Sequence, residues 1–319
     1  MRRAVIDVGS NSVLLVVAEK RGGSWHPVFE DTSVTALGEG TKSTGMLGEV
    51  GMANTLATLK EFFYQAHEHG AGQICAAATM AARIANNADE FLSRAAAQGT
   101  PVSILTGEDE AELGFQSVAS DPMVAGIDRI SIIDPGGHST ELVTADRNAA
   151  GWNVRFRRSY PIGTLGLRSS HFPNERLEPP EILSGVAYVD DMIGLCYRPR
   201  QAGVVVVLGA SGTNLIAIRD QILEWDPDRI HGEKLGYEDV SKMLGWLGEM
   251  TDAERAAVPG LEKGRQKTVH LGALILERFL FALRAEDCLV SVKGWRHALL
   301  ENPQKGCRDW KDSVWEQPN

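Results

Sequence analysis

Cysteine is scarce in this chain: four in 319 residues, at positions 75, 196, 288 and 307, with no CxxC pair. That spacing matches neither a zinc site nor a disulfide framework, so reduced, structural thiols are expected. Long apolar runs are missing too. No stretch approaches the ~18 residues that a membrane-spanning helix needs. The N-terminal apolar run is broken by Asp7, too early for a signal-peptide core. The expectation is a cytoplasmic protein with no membrane partner. Positive charge is in deficit, with 32 Lys and Arg against 42 Asp and Glu and a formal net charge of -10. That balance argues against nonspecific binding to nucleic acid or anionic lipid. It leaves room for a compact anionic ligand, because backbone N–H groups, one or two Arg and a metal supply a local positive field. The GxxxxGK[ST] signature is absent, as is GxGxxG after a strand, so the chain is neither a P-loop nor a Rossmann protein. No His-Asp dipeptide occurs, which removes an HD-type hydrolase module.

What is present points to two α/β domains. The length fits two domains at roughly 150 residues each, and 43% apolar with 23% charged residues suits ordinary cores. Residues 4–8 (AVIDV) and 13–18 (VLLVVA) read as strands around Gly9-Ser10-Asn11-Ser12, a hairpin. Apolar spacing and end signals predict helices over 51–69, 86–98, 108–118, 214–223, 238–249 and 269–284. Strands are expected over 73–78, 102–105, 130–133 and 203–208. After the strand at 130–133 come Asp134, then Pro135-Gly136-Gly137-His138-Ser139-Thr140, then Glu141-Leu142-Val143. The chain thus repeats one device, a strand-end carboxylate followed by a Gly/Ser turn, at Asp7 and at Asp134. A third turn, Gly209-Ala210-Ser211-Gly212-Thr213, follows the apolar run 203–208. From Asn302 the chain is polar, with Trp310 and Trp315, and reads as a partly docked tail.

Such turns suit a phosphate. Successive backbone N–H groups converge on one spot in a tight turn. Glycine lets the backbone approach closely and take positive φ, and Ser and Thr hydroxyls add donors without bulk. The Asp at the end of each preceding strand is suited to hold Mg²⁺, directly or through water. Taken singly, each feature has a plainer reading. One turn is a hairpin, Glu110 is one of four acids at a helix start, Arg83 is a salt-bridge partner, and His138 is a solvated loop residue.

Together these motifs, in this order, resemble the exopolyphosphatase / guanosine pentaphosphate phosphatase (Ppx/GppA) family. The resemblance covers nearly the whole chain. It includes AVIDVGSNSVLLVVAE (4–19), LGEGTKSTGML (37–47), ILTGEDEAELGF (104–115), IIDPGGHSTELV (132–143), YPIGTLGL (160–167), GASGTNLIAI (209–218) and VSVKGWR (290–296). It implies an α/β fold of two ribonuclease-H-like lobes, of the actin, sugar kinase and Hsp70 superfamily, with a central cleft. The lobes are expected over 1–124 and 125–300, with a tail over 301–319. The implied activity is an exopolyphosphatase, releasing terminal phosphate from inorganic polyphosphate with Mg²⁺ as cofactor; guanosine pentaphosphate is the other implied substrate. Glu110, in Gly-x-x-Glu-Ala, matches the catalytic glutamate, the general base. Asp134 matches the metal-linked catalytic aspartate and Glu141 a further metal carboxylate, with Asp7 as the third metal candidate. The phosphate-binding positions fall on Ser10, Asn11 and Ser12, on Gly136, Gly137, His138, Ser139 and Thr140, and on Gly212 and Thr213. Thr79 and Arg83 match a Thr and an Arg near the site. Members often form homodimers.

The departures from the family pattern concern anion handling. Pro135 replaces an apolar residue, fixes its own φ and removes one N–H. His138 replaces a glycine, at about 1 kcal/mol or more if positive φ is required. Leu14 and Ala36 stand where basic or polar residues are common. Glu110, Asp134 and Glu141 are retained. The sequence therefore carries two readings: a phosphoanhydride hydrolase, or a catalytically weak phosphate- or nucleotide-binding regulatory protein on the same fold.

Overall fold

The structure is a computed structural model and describes residues 1–194 and 202–306. Cys196, Cys307, Trp310, Trp315 and most of the expected tail lie outside them. The chain divides into two compact units, Met1–Gly114 together with the stretch from Trp295, and Phe115–Gly294.

Unit 1 is built on β1 (Arg2–Val8), β2 (Ser12–Arg21), β3 (Ser24–Val34), β4 (Gln73–Ala78) and β5 (Ser103–Ile104), in the order β3-β2-β1-β4-β5. The first three strands form an antiparallel meander, and β4 and β5 continue in parallel. This is the ribonuclease-H-like arrangement. The apolar runs of β1 and β2 are buried on both faces, which is why they read as continuous rather than alternating. Ala4, Ile6 and Val8 face a cluster with Leu59, Phe62 and Phe63, whereas Val5 and Val16 face the other way. The helices are α1 (Thr41–Thr44), α2 (Glu49–Glu68), α3 (Met80–Ile84), α4 (Ala88–Ala97) and α5 (Gly107–Ala119). α2 buries Met52, Leu56, Leu59 and Phe63 at helical spacing against the first face.

Unit 2 repeats the plan. Its strands are β6 (Arg129–Pro135), β7 (Thr140–Asn148), β8 (Gly151–Tyr160), β9 (Val204–Val207), β10 (Lys234–Gly236) and β11 (Asp287–Val290), in the order β10-β11-β9-β6-β7-β8. The meander β6–β7–β8 and the parallel β9 and β11 match unit 1, and β10 adds an antiparallel edge. The repeat extends to fine detail. One offset carries Asp7 onto Asp134, Gly9 onto Gly136, and the bulge at Val17/Ala18 onto the bulge at Thr144/Ala145. The helices are α6 (Thr164–Ser170), α7 (Pro179–Ile193), α8 (Gly209–Arg219), α9 (Pro227–Ile230), α10 (Tyr237–Gly248), α11 (Asp252–Ala256) and α12 (Val269–Leu283). α12 is buried nearly all round and centres the larger core cluster.

The chain then returns to unit 1. α13 (Trp295–Glu301) packs Trp295, Leu299 and Leu300 against Val5, Val16, Leu105 and Leu113. The expected lobe boundaries are corrected accordingly. The break falls after Gly114 rather than 124, inside α5, and residues 295–300 belong to unit 1. Burial is the reason, since α13 covers the second face of the first sheet. The cysteine expectation is corrected as well: Cys288 is a free buried thiol, but Cys75 is disulfide-bonded. No described helix is long and apolar enough to cross a membrane.

Candidate active site

In unit 1 the backbone leaves β1 at Val8 and re-enters the sheet at Ser12. The Gly9 amide donates to Ser12 O at 2.9 Å, and a Cβ on Gly9 would sit 2.9 Å from that same oxygen. Glycine is needed here for room rather than for positive φ. Ser10 O accepts from the Gly38 amide at 2.8 Å, and Asn11 O from the Thr35 and Ala36 amides at 3.1 and 2.9 Å. In a planar trans peptide the next N–H points opposite to the carbonyl. The Asn11 and Ser12 amides therefore face away from the 35–38 segment, side by side. Ser10, Asn11 and Ser12 are buried, and Ser12 Oγ has no hydrogen-bond partner among the described residues. A buried hydroxyl without a partner, next to paired amides, suits a phosphoryl oxygen.

β4 runs parallel to β1, with Ala78 beside Val8. Thr79 thus emerges next to the turn, and its amide donates to Val8 O at 3.1 Å. One turn along α3, Arg83 Nη1 donates to Leu105 O at 2.8 Å and to Glu110 Oε2 at 2.7 Å. Glu110 stands in the acidic first turn of α5. Both side chains of the pair are mostly buried, at 17% and 13% exposure. Burial pushes the Glu110 carboxyl above its ordinary value, while the Arg83 guanidinium pulls it the other way.

In unit 2 the same turn recurs. The Gly136 amide donates to Ser139 O at 2.8 Å, and a Cβ on Gly136 would lie 3.0 Å from that oxygen. Gly136 O accepts from the Thr164 amide at 3.1 Å and Gly137 O from the Leu165 amide at 2.8 Å. The Gly137 and His138 amides therefore face away from α6. The two departures leave this turn intact. His138 is buried and has no positive φ, so its side chain costs no left-handed backbone. The Gly136 amide points toward β7, so strand alternation turns the Pro135 nitrogen to the other side, and no β6–β7 bond is lost.

Asp134 lies directly opposite Glu141 in the β6–β7 register, so both carboxylates share one face. Ser159 Oγ donates to Glu141 Oε1 at 2.7 Å. A Cβ on Gly209 would lie 3.1 Å from Asp134 Oδ1, which brings the start of α8 up to that carboxylate. Asp7 occupies the equivalent place in unit 1 but faces Leu14. Within unit 2, the Asp134 and Glu141 carboxylates are hard oxygen donors that fit Mg²⁺, which takes one or two carboxylates and keeps several waters. Among the described residues no three His, Cys, Asp or Glu side chains form a closed metal cage, and Mg²⁺ does not need one.

The expected turn at 209–213 needs correction. Gly212 and Thr213 are not in an open turn, because α8 already starts at Gly209. A Cβ on Gly212 would sit 2.6 Å from Val207 Cγ1, so that glycine serves close packing of helix on strand. The Thr140 hydroxyl is committed to Ile162 O at 2.8 Å. Sequence reasoning also passed over Ser159 and Gly163. A Cβ on Gly163 would lie 2.3 Å from Gly137 C and His138 N.

Tight glycine turns, each behind a strand-end carboxylate, and a buried Arg–Glu pair are the chemistry-bearing features of the two ribonuclease-H-like units. Residues 16–303 match the model of the Ppx/GppA phosphatase family, and the chain belongs to that family. It is 26% identical to exopolyphosphatase 2 of Mycobacterium tuberculosis over 313 residues, 94% of this chain and 96% of that protein. To exopolyphosphatase 1 of Mycobacterium bovis it is 29% identical over 314 residues, 94% of this chain and 87% of that one. Among solved structures, the Aquifex aeolicus family member superposes with a TM-score of 0.76 at 30% identity, covering 95% of this chain and 97% of that one. An exopolyphosphatase-like protein superposes with a TM-score of 0.86 at 25% identity, covering 96% and 98%.

Proposed function

We propose that this chain is a Mg²⁺-dependent exopolyphosphatase with Glu110 as general base and with Asp134 and Glu141 as the metal-holding carboxylates. The observation that carries the reading is Glu110, mostly buried, raised by that burial and fixed at 2.7 Å by Arg83. A carboxylate moved toward neutrality is better matched to proton abstraction from water. Glu110 takes a proton from the attacking water, whose oxygen bonds to the terminal phosphorus. The bond from that phosphorus to the bridging oxygen breaks, and the shortened chain leaves with the electron pair. Within unit 1, the amides of the turn at 11–12 and the Ser12 hydroxyl are donors for phosphoryl oxygens. When bound, Mg²⁺ would supply neutralisation of the anionic oxygens. The two exopolyphosphatase relatives favour polyphosphate as the substrate. Guanosine pentaphosphate, which ends in the same phosphoanhydride, is the second candidate.

Glu110→Gln should lower phosphate release from polyphosphate by about 10²–10⁴-fold and leave polyphosphate binding in place. Because the base must be ionised, activity should rise with pH through the raised Glu110 value. Arg83→Ala removes the cation that holds this value down, so the acid limb should move to higher pH. A wild-type protein that binds polyphosphate tightly and releases no phosphate from it or from guanosine pentaphosphate would overturn this reading in favour of a binding protein.

A further inference from the structure

Ser159 of β8 belongs to a polar row that crosses three strands of unit 2. The registers pair Asp134 with Glu141 and Glu141 with Ser159, so the three side chains stand abreast on one face of β6, β7 and β8. Their chain neighbours Ile133, Leu142 and Tyr160 turn to the other face and join the larger core cluster. Two residues farther along on the row's own face lie Ile132 and Val143, members of an apolar cluster. The row is the polar cap of that cluster, at the strand ends where the Gly136–Ser139 turn begins. Unit 1 gives a contrast. The offset that carries Asp7 onto Asp134 also carries Leu14 onto Glu141 and Thr32 onto Ser159. The hydroxyl recurs in both units, but in unit 1 its neighbour in the row is a leucine.

Strand geometry explains the contact. The Gly136 amide donates to Ser139 O, so Gly136 and Ser139 are a hydrogen-bonded pair, and alternation makes Asp134 and Glu141 the next one. Glu141 therefore turns its amide and carbonyl toward β6. Its pair with Ser159 is the closely spaced kind, about 4.5 Å between Cα atoms, so a side chain as short as serine reaches the carboxylate. Ser159 Oγ donates to Glu141 Oε1 at 2.7 Å and makes no other hydrogen bond among the described residues. Glu141 is buried and Ser159 is exposed. An exposed strand position accepts many side chains, so packing does not call for a hydroxyl here.

Two effects work against a metal held by Asp134 and Glu141. A glutamate side chain loses rotamer freedom when it is fixed. Like charges directly opposite on a sheet also repel, which favours swinging Glu141 away from Asp134 until a cation arrives. A hydroxyl donating to one carboxylate oxygen opposes both, because it fixes the side chain beforehand and stabilises its charged form. We infer that Ser159 is a positioning residue for Mg²⁺: by holding Glu141 Oε1 it keeps that carboxylate beside Asp134 and raises the metal affinity of the pair. The inference rests on the exopolyphosphatase reading, in which Asp134 and Glu141 hold the metal, and extends it to the hydroxyl that holds one of them.

The test titrates Mg²⁺ calorimetrically into wild type, Ser159→Ala and Ser159→Thr, with inorganic phosphate present. Phosphate release from polyphosphate is read across the same Mg²⁺ range. Ser159→Ala should weaken Mg²⁺ binding about 10–100-fold and raise the Mg²⁺ concentration for half-maximal release by the same factor. At saturating Mg²⁺ its kcat and its KM for polyphosphate should return to near the wild-type values. Ser159→Thr, which keeps the hydroxyl and suits a strand, should bind Mg²⁺ as wild type does. Melting of the metal-free protein should differ little among the three. Unchanged Mg²⁺ affinity in Ser159→Ala overturns the inference while the exopolyphosphatase reading stands. A threonine variant as weak as the alanine one overturns it too, since the hydroxyl would then not be the group that matters. A wild type that binds no Mg²⁺ and releases phosphate without it overturns both the metal reading and this role.

Discussion

A methyl group at position 163 would meet the backbone of the Gly136–Ser139 turn at 2.3 Å. No rotamer change relieves such a contact, because both partners are main chain. Gly163→Ala should therefore displace the Gly137–His138 amides and destabilise the protein by about 1–3 kcal/mol or more. A melting curve and the KM for polyphosphate check this; an unchanged KM would show that the turn does not hold substrate. The site's turns were legible from sequence because each is a short contiguous motif behind a strand. Glu110 was legible only through the family motif, since four acids crowd that helix start and its pairing with Arg83 is a tertiary fact. Ser159 and Gly163 were not legible. Their partners, Glu141 and Gly137, are reached by strand pairing and chain return rather than by local spacing.

At the scale of elements, the apolar strands and the long amphipathic helices were readable, and the amphipathic edges were not. β3 contains Pro27 and is only partly buried, as an edge strand tolerates. α7 opens on two prolines and carries Gly185, where a Cβ would collide with the Phe172 ring at 1.9 Å. α13 is short, and what marks it is what it touches. Glu30 of β3 accepts from Arg296 at 3.3 Å and pairs with His297 at 3.2 Å. Burial opposes ionisation of Glu30, but the His297 and Arg296 contacts outweigh it and hold the carboxyl at about 2, against an ordinary 4.5. A lowered folded-state value stabilises above the unfolded value and is lost as pH falls toward the folded one. The docking of α13 should thus weaken between pH of about 4.5 and 2, by up to about 3 kcal/mol. Acid titration by circular dichroism should show the stability gap between wild type and Glu30→Gln closing over that interval.

Among the described residues, each core cluster lies within one unit. Leu299 is fully buried in unit 1. Leu299→Ala should cost about 2–5 kcal/mol and act on its own unit. Hydrogen exchange should accelerate in β1–β5 and stay unchanged in β6–β11; uniform acceleration would show that the units open as one. The two-lobed plan was legible from the repeated carboxylate-and-turn device, but the boundary was not. Nothing local announces that a chain crossing at Gly114 will return at Trp295.

That return has a consequence for biosynthesis. Domains tend to form as units while the chain is being made. Every strand and helix assigned to the inserted unit is translated before α13, whereas the opening unit must wait for α13 to close its second face. On the ribosome, the unit that begins first is the one that can be completed last, and Val5, Val16 and Leu113 need shelter until then.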